Sequence, residues 1–555
     1  MLLTGAEIIC ECLIEQGVDA VFGYPGGAAL NTYDALYKYS DRIKHILTAH
    51  EQGASHAADG YARSTGKTGV VITTSGPGAT NIVTGIATAN IDSIPMVCLT
   101  ANVNTDQLGR DSFQEVDIVD IVKPITKDSC LVTSVEELAP AIRRAFALAK
   151  EGRKGPVLVD IPKDITAAKT EFTPEKPKRP LTFEIKNPEV IRRVQDMIRN
   201  SKRPMIYAGG GVLSSNASPE LQAFAEIIDA PVCCSLMGLG CIPASHPLCV
   251  GNIGMHGGYE TGKVTEECDL MITCGARFSD RVAGDREKFG EQAKIVQLEI
   301  DENEINKNVT VDEYIIGDVK NILIALTAGM EQQSHSEWLG KIEVWKHELD
   351  DIEPPKSGYP EPWEILEALN KIKSDSDIIA TDVGQHQMWV AQYSRIEKRK
   401  TLLTSGGMGT MGFGMGAAIG AQIAHPENRV FLVTGDGSFH MNLNELVTLK
   451  SYDLPVVVLI MNNTVLGMVR QWQKLFYGSR FSQTDPHRAT DFVALAKAFG
   501  IDGMSITKSE EIDEVLHKAV ELNKPVVIDC RISPDVNVLP MIPPGKTINE
   551  IVTEM

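Results

Sequence analysis

Residues 429–463 read RVFLVTGDGSFHMNLNELVTLKSYDLPVVVLIMNN. An apolar run (430–434) meets Gly435-Asp436-Gly437, a helical stretch follows, and Pro455 opens a second apolar run (455–461) that leads into Asn462-Asn463. Short runs rich in Val, Ile and Leu, closed by Gly, Asp or Asn and joined through a helix, are the pattern of buried parallel strands with crossover connections. Residues 71–102, VITTSGPGATNIVTGIATANIDSIPMVCLTAN, repeat the plan: strand, Gly-x-Gly turn, helix, Pro95, strand, Asn102. From the second glycine of the turn to the proline is 18 residues in one segment and 17 in the other. The chain therefore carries two related α/β units.

Working outward, further runs at 156–161, 204–208, 270–274, 295–300 and 378–381 continue the alternation. The expected fold class is α/β, with three doubly wound parallel-sheet domains. Two proline-rich stretches, 170–188 and 350–362, read as extended linkers. They divide the 555 residues into expected domains at 1–170, 188–348 and 362–540, each of single-core size.

The net charge of −20 argues against a surface that coats nucleic acid or anionic membrane. No apolar run approaches the roughly 18–20 residues that span a bilayer. At the N-terminus Ala6, Ile9, Cys12 and Leu13 form one stripe of an amphipathic helix opposite Glu7, Glu11 and Glu15, so no signal peptide is expected. The eleven cysteines lack Cys-x-x-Cys pairs and the twelve histidines lack His-x-x-x-His pairs. Reduced thiols, no zinc site and a cytoplasmic protein are the expectation.

The chemistry concentrates at strand ends. Asp436 and Asn463 stand at the carboxyl ends of neighbouring strands, 27 residues apart, the edge at which open α/β sheets bind ligands. A carboxylate and an amide carbonyl are hard oxygen donors suited to Mg²⁺, which takes its remaining ligands from water and phosphate. Gly437 lets a backbone approach a diphosphate, and the helix that follows supplies N–H donors. Glu51 opens a helix running to about Arg63; taken alone it is a first-turn acid favoured by the helix dipole. Six glycines crowd residues 405–416, SGGMGTMGFGMG. Gly209-Gly210-Gly211 follows a strand but lacks the full dinucleotide spacing.

The spacing from Gly-Asp-Gly to Asn-Asn resembles the thiamine-diphosphate binding motif. That resemblance implies Mg²⁺ ligation by the side chains of Asp436 and Asn463 and the carbonyl of Val465, with Gly435, Gly437 and Ser438 at the diphosphate. It implies that Glu51 bonds the aminopyrimidine ring and promotes loss of the thiazolium C2 proton. Gly409 and Met411 would lie under the bend of the cofactor, Met411 as an apolar wedge, with Val383, Gly384, Gln385, His386 and Met441 lining it.

From about residue 3 to 545 the chain resembles the biosynthetic acetohydroxyacid (acetolactate) synthases, through VFGYPGGAAL (21–30), HEQGASHAADGYARSTG (50–66), TSGPGATN (74–81), FQEVDIV (113–119), PKD (162–164), GMHG (254–257), GARFSDRVAGD (275–285), GQHQMW (384–389), GMVRQWQ (467–473) and PMIPPG (540–545). Ser279 departs from the family, where Asp is commoner, while Arg281 is kept. The resemblance implies decarboxylation of pyruvate and ligation of the two-carbon unit to pyruvate or 2-ketobutyrate, the first common step of branched-chain amino-acid synthesis. A FAD-dependent pyruvate oxidase or a catabolic acetolactate synthase is the alternative. Gly27, Phe113, Gln114 and Lys163 would border the active centre from a partner subunit. Arg281 would grip the second keto acid's carboxylate, and Met468 and Trp472 would line the pocket. FAD would be held by Gly209, Gly210, Gly211, Ser235, Leu236, Met255, His256, Gly275, Arg277, Glu299, Ile300, Asp318 and Val319. A homodimer or homotetramer and a small regulatory subunit are implied as well.

Overall fold

The computed structural model describes residues 1–177, 184–349 and 357–553. Of the two proline-rich stretches, residues 178–183 (with Pro180) and 350–356 (with Pro354 and Pro355) lie outside the described residues.

The N-terminal strands are β1 (Leu2–Thr4), β2 (Ala20–Tyr24), β3 (Lys44–Leu47), β4 (Gly69–Thr73), β5 (Met96–Asn102), β6 (Asp128–Leu131), β7 (Pro156–Pro162) and β8 (Lys169–Glu171). Six form a parallel sheet in the order β3-β2-β4-β5-β7-β6. β1 and β8 pair antiparallel, so the start of the 170–188 stretch is a strand tied to the N-terminus rather than a free linker. The middle sheet holds β9 (Pro204–Ala208), β10 (Val232–Cys234), β11 (Cys249–Asn252), β12 (Leu270–Cys274), β13 (Lys294–Glu299) and β14 (Glu313–Ile316), ordered β11-β10-β9-β12-β13-β14. The C-terminal sheet holds β15 (Ile378–Thr381), β16 (Leu402–Leu403), β17 (Val430–Gly435), β18 (Val457–Asn462), β19 (Asp502–Ile506) and β20 (Val526–Arg531), ordered β16-β15-β17-β18-β20-β19. Chain order across the first and third sheets is thus the same, second-first-third-fourth-sixth-fifth, as the repeated sequence pattern predicts. Pro95 and Pro455 fall just outside β5 and β18, since proline has no N–H for the ladder.

Strands β5 and β18 are buried along their whole length, which is why they read as continuous apolar runs. Several strands that the sequence left unmarked are polar or half-exposed, among them β6 (DSCL) and β14 (EYII).

Two helices join the outer domains. Glu51–Thr65 follows β3 and ends at Gly66 with φ 79°, while Phe413–Ala424 follows β16. At Gly60 and Gly420 the two helices meet backbone against backbone. A Cβ on Gly60 would fall 2.3 Å from Ala417 O, and one on Gly420 would fall 1.9 Å from Ala57 O. Residues of both domains consequently share one core, with Phe22, Val71 and Ile86 from the first and Ile419, Leu432 and Val458 from the third.

A Gly420→Ala substitution would normally stabilise an exposed helix by about 1 kcal/mol. Here the added methyl meets backbone, and overpacking of this kind costs about 1–3 kcal/mol or more. Urea unfolding of the variant should show a lower midpoint; an unchanged or raised midpoint would refute the close approach.

Candidate active site

At the carboxyl edge of the C-terminal sheet the connections leave β15 toward β16 on one side and β17 lies on the other, so a crevice opens between β15 and β17. Asp436 begins the helix Asp436–Asn442 at the end of β17 and is 5% exposed. Burial pushes its carboxyl up to about 6, and no ion pair among the described residues compensates it. Asn463 follows β18, and its amide belongs to a relay. Asn463 Nδ2 donates to Gln385 Oε1 (3.1 Å), Gln385 Nε2 to Gln471 Oε1 (3.1 Å), and Gln471 Nε2 to Val538 O (3.0 Å). The relay fixes which end of Asn463 is oxygen. That oxygen accepts from Val465 N at 3.2 Å and keeps a second lone pair.

His386 packs against Gly435, where a Cβ would lie 2.9 Å from its Nδ1. Its Nε2 is buried without a partner among the described residues, and burial lowers the imidazole to about 3, so the ring is neutral. Ser438 Oγ donates to Val383 O at 2.9 Å, tying the two strand ends together. A cation-hungry carboxylate, an oriented amide oxygen and an orphaned ring nitrogen fit a metal-bound diphosphate.

Residues absent from the sequence-based site hold the glycine-rich loop. Asp382, buried just after β15, accepts from Gly412 N (2.8 Å), Gly414 N (2.9 Å) and Thr434 Oγ1 (2.8 Å). Burial pushes this carboxyl up against the pull of its three donors. Gly412 sits at φ 89°, a left-handed conformation that favours glycine, and its carbonyl accepts from Asn442 Nδ2. The loop's other half is held by the N-terminal domain. Asp92 accepts from Gly407 N (2.8 Å) and Gly406 N (3.2 Å), and Arg63 joins Asp92 (2.9 Å) to Thr404 O (2.8 Å). Met411 is left half-buried between these anchors, Gly409 is exposed and Met441 is 54% exposed. The only sequence signal for Asp382 was an acid directly after an apolar strand.

Glu51 is the first residue of its helix, and its Oε2 accepts from Asn81 Nδ2 at 2.9 Å. The preceding N–H groups of Ala49 and His50 donate to buried Glu445 of the C-terminal domain, both at 3.0 Å. Gly27 follows β2, Phe113 and Gln114 lie on the loop after β5, and Lys163 begins the helix after β7. All of them stand at the carboxyl edge of the N-terminal sheet. Phe113 is 86% exposed, and Gln114 (φ 61°) packs beside Gly76. Among the described residues no hydrogen bond or ion pair joins Glu51, Phe113, Gln114 or Lys163 to Asp436, Asn463 or Met411.

In the middle domain the residues expected at FAD also gather at strand ends. Gly209–Gly211 follows β9, Ser235-Leu236 follows β10, Met255-His256 follows β11, Gly275 and Arg277 follow β12, Glu299-Ile300 closes β13 and Asp318-Val319 follows β14. Gly209 and Gly211 are required by the backbone of Gly275 and Ala276, which a Cβ on either would strike at 2.4–2.8 Å. Arg277 donates to Ile91 O (2.7 Å), Glu299 accepts from Ile300 N (2.8 Å), and Asp318 caps the helix Val319–Thr327. Among the described residues Asn252 Oδ1 and His256 Nδ1 are buried and unpartnered at this edge, which suits a polar ligand there. Arg281 is exposed, 3.6 Å from the Asp280 carboxylate, and stacks over Trp472 at 5.4 Å. The two residues expected to flank a second substrate thus meet, one from each domain. Met468, half-buried, lies a turn before Trp472 on the helix Gly467–Phe476.

Comparison with known proteins identifies the family of all three domains. Residues 3–121 match the N-terminal TPP binding domain of thiamine pyrophosphate enzymes, 191–326 the central domain, and 382–530 the C-terminal TPP binding domain. The chain is 45% identical to a probable acetolactate synthase large subunit of Methanocaldococcus jannaschii, over 99% of this chain and 95% of that one. It is 43% identical to the acetolactate synthase large subunits of Parasynechococcus marenigrum (99% and 91% covered) and Buchnera aphidicola (99% and 98%).

Asp382→Ala leaves the buried N–H groups of Gly412 and Gly414 without an acceptor and Thr434 Oγ1 with only Gly435 O at 3.2 Å, at about 1–3 kcal/mol for each group left unpaired. The variant should unfold at lower urea and bind thiamine diphosphate with Mg²⁺ more weakly in calorimetric titration. Wild-type affinity would show that the loop keeps its shape without this anchor.

Proposed function

The chain belongs to the acetolactate synthase large subunits of the thiamine pyrophosphate enzymes, and we propose that it converts two 2-keto acids to one 2-aceto-2-hydroxy acid and carbon dioxide. Pyruvate is the donor; pyruvate or 2-ketobutyrate is the acceptor. Bound thiamine diphosphate supplies the electron sink that lets a keto acid lose carbon dioxide. The observation that carries the reading is the pairing of two carboxyl edges, Glu51 on one sheet and the Asp436–Asn463 pair on its topological twin.

In this reading Asp436, Asn463 and the Val465 carbonyl hold Mg²⁺ at the diphosphate, with the His386 ring and the first N–H groups of the Asp436–Asn442 helix beside it. Met411, gripped from both sides of its loop, is the apolar wedge under the cofactor. With the cofactor bound, the Glu51 carboxyl would hold the proton shared with the aminopyrimidine ring. Arg281 receives the acceptor's carboxylate in a bidentate pair, and the Trp472 face holds the guanidinium in place. Trp472 and Met468 offer the apolar surface that an extra methylene on 2-ketobutyrate would occupy. FAD at the middle-sheet edge is structural, since the net reaction transfers no electrons to an acceptor.

Phe113 is nearly bare, and among the described residues no hydrogen bond or ion pair joins the Glu51 side chain to Asp436 or Asn463. Both facts support a site completed by a second copy, in a homodimer or larger assembly, with a small regulatory chain as further partner.

Mass spectrometry of products from pyruvate, with and without 2-ketobutyrate, should show 2-acetolactate and then 2-aceto-2-hydroxybutyrate. Acetate formed with oxygen uptake would overturn the assignment. The shared site has its own test. Glu51→Gln and Asp436→Ala should each be inactive alone, yet unfolding and refolding an equal mixture should restore about a quarter of wild-type activity, because half the dimers are mixed and each has one intact site. No recovery would mean that each chain supplies both halves.

A further inference from the structure

The two carboxylate oxygens of Glu51 stand in unlike surroundings. Oε2 accepts a hydrogen bond from Asn81 Nδ2 at 2.9 Å. Asn81 closes the one-turn helix Pro77–Thr80, its N–H bonded to Pro77 O at 2.9 Å. The Asn81 backbone is therefore fixed by the turn that follows β4, and its side-chain amide reaches Glu51 from that anchored position. Oε1 faces Gly78, where a Cβ would lie 3.3 Å from Oε1 and 2.7 Å from Thr74 Cγ2. Glycine at 78 keeps the approach to Oε1 open. An amide suits position 81 because it donates to a carboxylate without bringing a countercharge that would lock the acid in an ion pair. From the other side, Glu445 fixes the peptide groups at Ala49 and His50 on which Glu51 is mounted.

We infer that Asn81 is a positioning residue for Glu51: its amide occupies one carboxylate oxygen and so dedicates the other to the reacting ligand. The inference rests on the reading of Glu51 as the group that exchanges a proton with the cofactor. An acid–base group acts only within hydrogen-bond reach of its proton, and a Glu51 side chain released from Asn81 regains rotamers that point away from the ligand.

The decisive pair of variants is Asn81→Ala, which deletes the donor, and Asn81→Asp, which keeps the shape and replaces the donor by an acceptor. Calorimetric titration with thiamine diphosphate and Mg²⁺ should give wild-type affinity for both. Deuterium exchange at C2 of the bound cofactor, followed by NMR without substrate, should slow about 10–100-fold in both, the scale of a misplaced catalytic group. The turnover number should fall in proportion while KM for pyruvate stays unchanged. Glu51→Gln, run in parallel, separates the two claims. If it exchanges C2 at the wild-type rate, the reading of Glu51 falls and the Asn81 role falls with it. If it loses exchange while the Asn81 variants exchange normally, or merely lose cofactor affinity, only the positioning role of Asn81 is overturned.

Discussion

The approach of two backbones closer than a side chain allows, Gly60 to Ala417 and Gly420 to Ala57, is the constraint on which the rest of this molecule depends. Helices usually pack 8–10 Å apart through interleaved side chains. Here glycine and alanine remove that layer, and the cores of the first and third domains merge. The consequence reaches the chemistry directly. Glu51 is the first residue of one seam helix, and Met411 lies two residues before the other. Both inherit their positions from a contact that tolerates little displacement, because protein interiors are close-packed and stiff.

Buried carboxylates complete what the seam begins. Asp382 and Asp92 hold opposite halves of the glycine-rich loop, one from each domain, and Glu445 holds the entry to the Glu51 helix. Each accepts backbone N–H groups, which makes burial of the charge tolerable and leaves donors stranded if it is removed. Surface pairs such as Lys38 with Asp34 carry no such consequence, being solvated on both sides. The loop needs its anchors because glycine at so many positions leaves the backbone little conformational preference of its own.

The middle domain shows how one residue type can answer two demands. Gly209 and Gly211 look like a nucleotide turn, and they do stand at a switch point between β9 and β12. The backbone of Gly275 and Ala276 is nonetheless enough to require glycine at both positions. What speaks for a ligand at this edge is the set of unpartnered polar atoms on Asn252 and His256. The same domain reaches across to its neighbours, through Arg277 to Ile91 O and through Arg281 to the Trp472 ring.

By itself the sequence determined the α/β class, the three units, the kinship of the outer two, and the strand-end placement of Asp436, Asn463 and Glu51. These are properties of local pattern: buried parallel strands must be apolar, and a residue after such a strand must emerge at the sheet edge. Strands with one wet face, such as β6, stayed hidden because their composition is that of loops. Only the tertiary structure decided which side chains serve those edges. Asp382 with Gly414, Arg63 with Thr404, Gln471 with Gln385, Asn81 with Glu51 and Arg281 with Trp472 are separated by between 30 and 341 residues in the chain. Periodicity is blind to such pairs, since their partnership arises from which sheet edges and helix ends the glycine seam brings together.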